Sequence, residues 1–192
     1  MVAAGSLAIA LMLAASAAVP QALDYLPLRT LDGREIRLSD LRGRVVLLDV
    51  WATWCAPCLA DLPLLRQLQA RHGDRLAVVG VSLDRMPRRD FISWLRRHDV
   101  GWPQHYDGRG YASPVARQLG VEALPATVVF AADGTLAARN LRGEALAALI
   151  ARLVAEQGLH RGGHGGRGVR SSMAMFSTVD SETRGSAPEA AR

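Results

Sequence analysis

Apolar and polar positions divide the chain into a leading apolar run, a middle stretch of short apolar blocks, and a polar tail. In the middle stretch, alternating apolar residues over 28–38 flank Asp32-Gly33, a pattern that predicts a β-hairpin. Residues 39–43 read as a turn or short helix. Residues 45–50 are apolar except for Asp49, as in a central strand covered on both faces. A helix is predicted over 57–72, with Leu59, Leu62, Leu65 and Leu68 three apart, Leu64 on the same broad face, and a kink at Pro63. A second buried strand follows at 76–83, then an amphipathic helix at 88–98 with Phe91, Ile92 and Leu95 inward. A short helix at 113–119 is closed by Gly120. Strands at 126–131 and 135–139 are joined by the turn Ala132-Asp133-Gly134, and a closing helix covers 144–156. Buried strands linked by crossover helices place the fold in the α/β class.

The two ends differ from this middle. Residues 1–23 carry no charged side chain and end their apolar run in Ala15-Ser16-Ala17, the small-x-small pattern of a signal-peptidase site. No basic residue precedes the run; only the α-amino group supplies positive charge there. Retained, the run matches the roughly 17–25 residues of a membrane span. Residues 1–23 are therefore read as a signal peptide or N-terminal membrane anchor, and the protein as exported to the periplasm. The folded domain is expected over 24–157. Residues 158–192, rich in Gly, Ser and Arg, are expected to form a disordered tail in which His160 and His164 are solvated.

Composition narrows the function. With 49% hydrophobic residues the chain can bury a core, and its net charge of +5 first suggests nucleic acid. The distribution argues against that. All 23 basic residues are arginine, scattered from Arg29 to Arg192, and the short runs Arg88-Arg89 and Arg96-Arg97 lack interleaved aromatics. Nucleic acid is not an expected partner. The only two cysteines, Cys55 and Cys58, can build neither a disulfide framework nor, alone, a four-ligand zinc site. No metal or cofactor is expected.

A Cys-x-x-Cys pair by itself fits half a zinc site or a redox dithiol. Its position is more informative: Cys55 follows a buried strand and opens a helix. Unpaired N–H groups and the helix dipole stabilise an anion there, lowering a cysteine's pKa below its usual ~8.5. Thiolate is the attacking species, so Cys55 reads as the nucleophile and Cys58, one turn on, as the resolving thiol. Pro57 suits the first turn because its missing N–H has no partner there.

The segment Asp49-Val50-Trp51-Ala52-Thr53-Trp54-Cys55-Ala56-Pro57-Cys58 resembles the active site of the TlpA/ResA-like branch of the thioredoxin superfamily, a redoxin-type domain. The resemblance covers residues 26–156. It includes the Asp32-Gly33 hairpin with Leu38-Ser39-Asp40-Leu41-Arg42-Gly43, the strand Val79-Gly80-Val81-Ser82-Leu83-Asp84, and Gly120-Val121-Glu122-Ala123-Leu124-Pro125-Ala126-Thr127 before Asp133-Gly134. It implies a thioredoxin fold, a central mixed β-sheet flanked by helices with an N-terminal β-hairpin extension. It also implies that Pro125 is cis beside the dithiol, keeping metals off the cysteines, while Leu124 offers backbone groups to an incoming substrate strand.

Asp49 matches the aspartate that assists proton transfer in thioredoxins, but the strand at 76–83 lacks their lysine partner. Desolvation should raise its pKa and favour an acid/base role. Asp61 stands where this branch has a glutamate near the dithiol. Trp54 is expected on the substrate-contact surface with Pro57, and Trp51 either there or in the core.

The function implied is a protein thiol–disulfide reductase, acting on cysteine pairs of apocytochrome c or copper-site proteins and supplied by a membrane electron donor. A peroxiredoxin resembles the chain less: Ala52 and Leu48 stand where that family has Thr or Ser and Pro. A copper-delivery module, with His105 as a ligand, and a non-catalytic interaction domain are the remaining alternatives.

Overall fold

The computed structural model describes residues 26–161, without the side chains of the last three. The expected signal peptide or anchor (1–23), residues 162–192 of the tail and the side chain of His160 lie outside the described residues.

Five strands form the central sheet in the order β5-β4-β3-β6-β7. In chain order these are β3 (Val45–Trp51), β4 (Leu76–Ser82), β5 (Gln104–Tyr106), β6 (Ala126–Phe130) and β7 (Leu136–Arg139). β3 pairs in parallel with β4, and β4 with β5; β6 runs antiparallel to both β3 and β7. The sheet is mixed because the β3–β4 connection is a helical crossover whereas β6 and β7 are joined by a hairpin. β3 and β4 are buried at every position. Their near-continuous apolar sequences are those of strands covered on both faces.

The helices are α1 (Ala56–His72), α2 (Arg88–Arg97), α3 (Pro114–Gln118) and α4 (Gly143–Arg161). α1 is continuous through Pro63 and buries Cys58, Leu62, Leu65 and Leu68. α3 ends as its sequence requires. Gly120 takes a φ of 66°, and the N–H groups of Gly120 and Val121 return to the carbonyls of Arg117 and Ala116. α4 runs on to Arg161, so its last turn enters the segment that composition assigns to the tail.

An N-terminal hairpin of β1 (Leu28–Arg29) and β2 (Glu35–Ile36) is much shorter than the alternating pattern over 28–38 suggests. Thr30 and Asp32 explain this, because the Thr30 hydroxyl donates to Asp32 and to the Arg34 carbonyl and rounds the chain early. The hairpin is tied to the edge strand β5 by a Thr30–His105 bridge and by Leu31 N–H donating to the Gln104 carbonyl at 3.0 Å. It thereby covers an edge that would otherwise present free backbone groups.

β5 was not apparent in the sequence. Gln104 and His105 are polar yet buried, and each is tied to another element. The Trp51 indole N–H donates to Gln104 Oε1 at 3.0 Å, and His105 Nδ1 lies 3.0 Å from the Arg29 carbonyl.

Candidate active site

β3 delivers the chain to the site and α1 receives it. After Trp51, a turn closed by Cys55 N–H donating to the Ala52 carbonyl (3.1 Å) sets Cys55 at the N-cap of α1. The Cys55 backbone is extended, with φ −88° and ψ 92°, and its Sγ accepts the Cys58 N–H at 3.3 Å. This is the hydrogen bond an N-cap side chain normally makes, here made by sulfur. Cys55 and Cys58 form a disulfide and are 5% and 3% exposed. No acidic residue stands in the first turn of α1, so nothing there opposes a developing thiolate.

A buried carboxylate that sequence reasoning missed holds this turn in place. Asp84, 1% exposed, accepts from Thr53 N–H at 3.0 Å, Thr53 Oγ1 at 2.7 Å and Ser82 Oγ at 2.8 Å. Three donors satisfy the charge that burial would otherwise penalise. Asp84 thus fixes the residue two before Cys55 from the end of the neighbouring strand. Its only sequence signal is a charged residue ending the apolar run of β4.

Asp49 is 5% exposed at the centre of the sheet, opposite Gly80 on β4 and Thr127 on β6. Burial pushes its pKa up to about 7; the negative charge of Asp61 adds to the rise and the positive charge of Arg142 opposes it. No lysine stands on β4, but the cation comes from elsewhere. Arg142, just before α4, donates from Nε to Asp61 Oδ2 at 2.7 Å and from a terminal nitrogen to the Pro57 carbonyl at 2.9 Å. Asp61 and Arg142 are 81 positions apart, and no local pattern announces the pair.

The two tryptophans separate clearly. Trp51 is fully buried, tilted against Phe91 and Trp94, and belongs to the core. Trp54 is 59% exposed beside Tyr111, at 6.4 Å between ring centroids. Together with Leu83, Asp84, Arg85, Met86 and Gly110 they line a groove of about 420 Å³. The Leu124–Pro125 bond is cis. The register pairs Val50 with Ala126, so Pro125 enters the sheet at the end of β3 that leads to the cysteines.

His105 is not brought into this group. It lies on β5, two strands from β3, where burial lowers its pKa and its Nε2 is 3.9 Å from Asp107. Among the described residues no three His, Cys, Asp or Glu side chains cluster as metal ligands.

The chain is 31% identical over 118 residues to the thioredoxin-like protein YneN of Bacillus subtilis, covering 60% of this chain and 66% of that protein. It is 37% identical over 82 residues to the thiol-disulfide oxidoreductase ResA of Oceanobacillus iheyensis, covering 41% of each. These alignments span less than two thirds of either relative. A solved thiol-disulfide oxidoreductase from Bacteroides fragilis superposes with a TM-score of 0.62 and 28% identity, over 68% of this chain and 98% of that one. The model of the AhpC/TSA family matches residues 19–139, a segment that contains β1 to β7 and both cysteines. With its mixed sheet, its Cys-x-x-Cys pair opening α1 and these relatives, the chain belongs to the AhpC/TSA family and is a TlpA/ResA-like member of the thioredoxin superfamily.

Proposed function

We propose that the protein is an extracytoplasmic thiol–disulfide oxidoreductase that reduces disulfides in other proteins. The observation that carries this reading is the Cys55–Cys58 disulfide at the N-terminus of α1, with Cys55 Sγ accepting the Cys58 N–H. In the reduced protein the same N–H and the helix dipole favour a Cys55 thiolate. That thiolate attacks one sulfur of a client disulfide, forming a mixed disulfide and releasing one client thiolate, which takes up a proton. Cys58 gives its proton to Asp49 and its sulfur attacks Cys55 Sγ, releasing the second client sulfur as a thiolate, which also takes up a proton. Two electrons pass to the client and the Cys55–Cys58 disulfide re-forms; a donor dithiol then restores the pair.

The remaining site residues have roles consistent with this cycle. Trp54 precedes the dithiol and Pro57 lies within it, and the exposed Trp54–Tyr111 surface suits contact with an apolar client segment. Leu124 and Pro125 receive the client backbone at the start of β6. Asp61 acts through its charge on Asp49.

The Ala-Pro pair between the cysteines resembles the reducing end of the superfamily. By analogy the clients are apocytochrome c or copper-site proteins, and the donor is a membrane dithiol protein. The apolar residues 1–23 support periplasmic placement. Among the described residues no helix is long and apolar enough to cross a membrane.

The reduction potential tests the direction of exchange. A value near about −270 mV, as in thioredoxin, is expected; one near about −120 mV, as in DsbA, makes the protein an oxidant. A Cys58→Ala variant should accumulate mixed disulfides with its clients through Cys55, and their absence would remove Cys55 as the attacking thiol.

A further inference from the structure

Arg142 joins three parts of the site that are distant in sequence. One prong of its guanidinium reaches the Pro57 carbonyl, between the two cysteines, and another reaches Asp61 on the next turn of α1. The loop that carries it is pinned to the strand facing Asp49. Thr127, directly across the ladder from Asp49, donates its hydroxyl to the Leu141 carbonyl at 2.7 Å, and its own carbonyl accepts Asn140 N–H at 2.7 Å. On the other side the Arg142 carbonyl accepts Leu146 N–H in the first turn of α4. Asn140 takes a left-handed φ of 56°, which asparagine tolerates better than most residues. Arg142 is therefore a side chain on a braced backbone, with both of its partners on α1.

We infer that Arg142 is a positioning residue of the dithiol site, clamping the Pro57 carbonyl and the Asp61 carboxylate into one cluster with Asp49 and so setting how readily Asp49 exchanges a proton with the cysteines. The inference rests on the oxidoreductase reading above.

The surroundings of Asp49 leave few other groups to do this. β4 presents Gly80 and β6 presents Thr127 across the ladder, and neither is charged. Asp40, in the single 3-10 turn Leu38–Leu41 packed against β3, has its carboxylate turned to the Arg37 N–H. From α1 the charge acting on it is that of Asp61, and from just before α4 that of Arg142. The two charges act in opposite directions. Asp61 makes Asp49 harder to ionise and Arg142 makes it easier, so losing either should move Asp49 in a direction that can be read.

The test is a pH–rate profile of the reduced full chain with insulin, taken in single turnover. The limb missing from the Asp49→Asn profile reports Asp49. In Arg142→Gln this limb should move to higher pH, with the rate at pH 6 lowered by about three- to tenfold, the change for a midpoint moved by half a unit to one. Arg142→Lys keeps the charge and loses one prong, and its limb should lie between those of the wild type and Arg142→Gln. If Arg142→Gln does not fold, Asp61→Asn tests the same network, and its limb should move to lower pH.

A limb that stays in place in the variant measured, one that Arg142→Lys fails to draw back, or an Asp49→Asn profile identical to the wild type overturns the inference. Those results leave the wider reading intact as long as the wild-type chain reduces insulin. If it does not, the oxidoreductase reading itself fails.

Discussion

Asp49 is the only charged residue in a seven-residue strand buried along its whole length, and its chemistry follows from that. An aspartate whose pKa rises from 3.8 to about 7 on folding keeps a proton that the unfolded chain has already lost. Its contribution to stability is therefore present below about pH 4 and is lost as pH rises through 7. A rise of that size corresponds to about 4 kcal/mol as an upper bound. Asp49→Asn removes the titration, so its stability relative to wild type should increase by up to about 3 kcal/mol between pH 5 and pH 8.5, the rest of the effect being already lost below pH 5. Urea unfolding of the oxidised protein at the two pH values measures this. A relative stability that does not change with pH would show that Asp49 is already ionised in the folded state at pH 5. The same variant should slow the step in which Cys58 gives up its proton, without disturbing the first attack by Cys55. Asp49 was visible in the sequence as a break in an apolar run. Arg142 was not, because its partners are Pro57 and Asp61 on another element, and only the tertiary fold brings them together.

At the level of elements, the packing of β5 against β4 depends on a missing side chain. A Cβ built on Gly80 would lie 2.0 Å from Gln104 Oε1. That oxygen accepts the indole N–H of Trp51, at the end of the strand that leads into the cysteine turn. Gly80→Ala should therefore displace Gln104, leave the buried Trp51 donor unpaired and destabilise the fold by about 1–3 kcal/mol, the usual cost of overpacking. Urea unfolding with Trp fluorescence should detect the lost stability together with a changed Trp51 signal. A variant as stable as wild type would mean that β5 can shift outward without loss. This contact also marks the limit of what the sequence makes legible. β3, β4 and β6 are readable because burial on both faces demands nearly continuous apolar sequence, and the helices because their apolar spacing is regular. β5 is an edge strand of three residues, two of them polar and bonded to Trp51 and to the Arg29 carbonyl. Its periodicity is too short to register. Asp84 was missed for a related reason, since its three donors come from Thr53 and Ser82, and only Ser82 is near it in sequence.

For the whole molecule, the state of two sulfur atoms is linked to the stability of the entire fold. In a thermodynamic cycle, the folded protein's reduction potential differs from that of the unfolded chain by the difference in stability between its oxidised and reduced forms. A strong oxidant is one whose reduced form is stabilised by folding. Here two influences on the reduced form oppose one another. The Cys58 N–H and the α1 dipole stabilise a Cys55 thiolate. Asp49 and Asp61 place negative charge near the same helix, with Arg142 as the cation bonded to Asp61. Because 30 mV is about 1.4 kcal/mol for a two-electron couple, potentials of about −270 and −120 mV differ by about 7 kcal/mol in this stability difference. A gap of that size is large against the marginal stability of a domain, about 5–15 kcal/mol. A reductase should thus be stabilised as a whole by its disulfide, and the oxidised chain is expected to unfold at a clearly higher urea concentration than the chain kept reduced with dithiothreitol. The comparison needs no client and no electron donor. A reduced form that outlasts the oxidised one would reverse the proposed direction of electron flow while leaving the exchange chemistry of Cys55 and Cys58 as described.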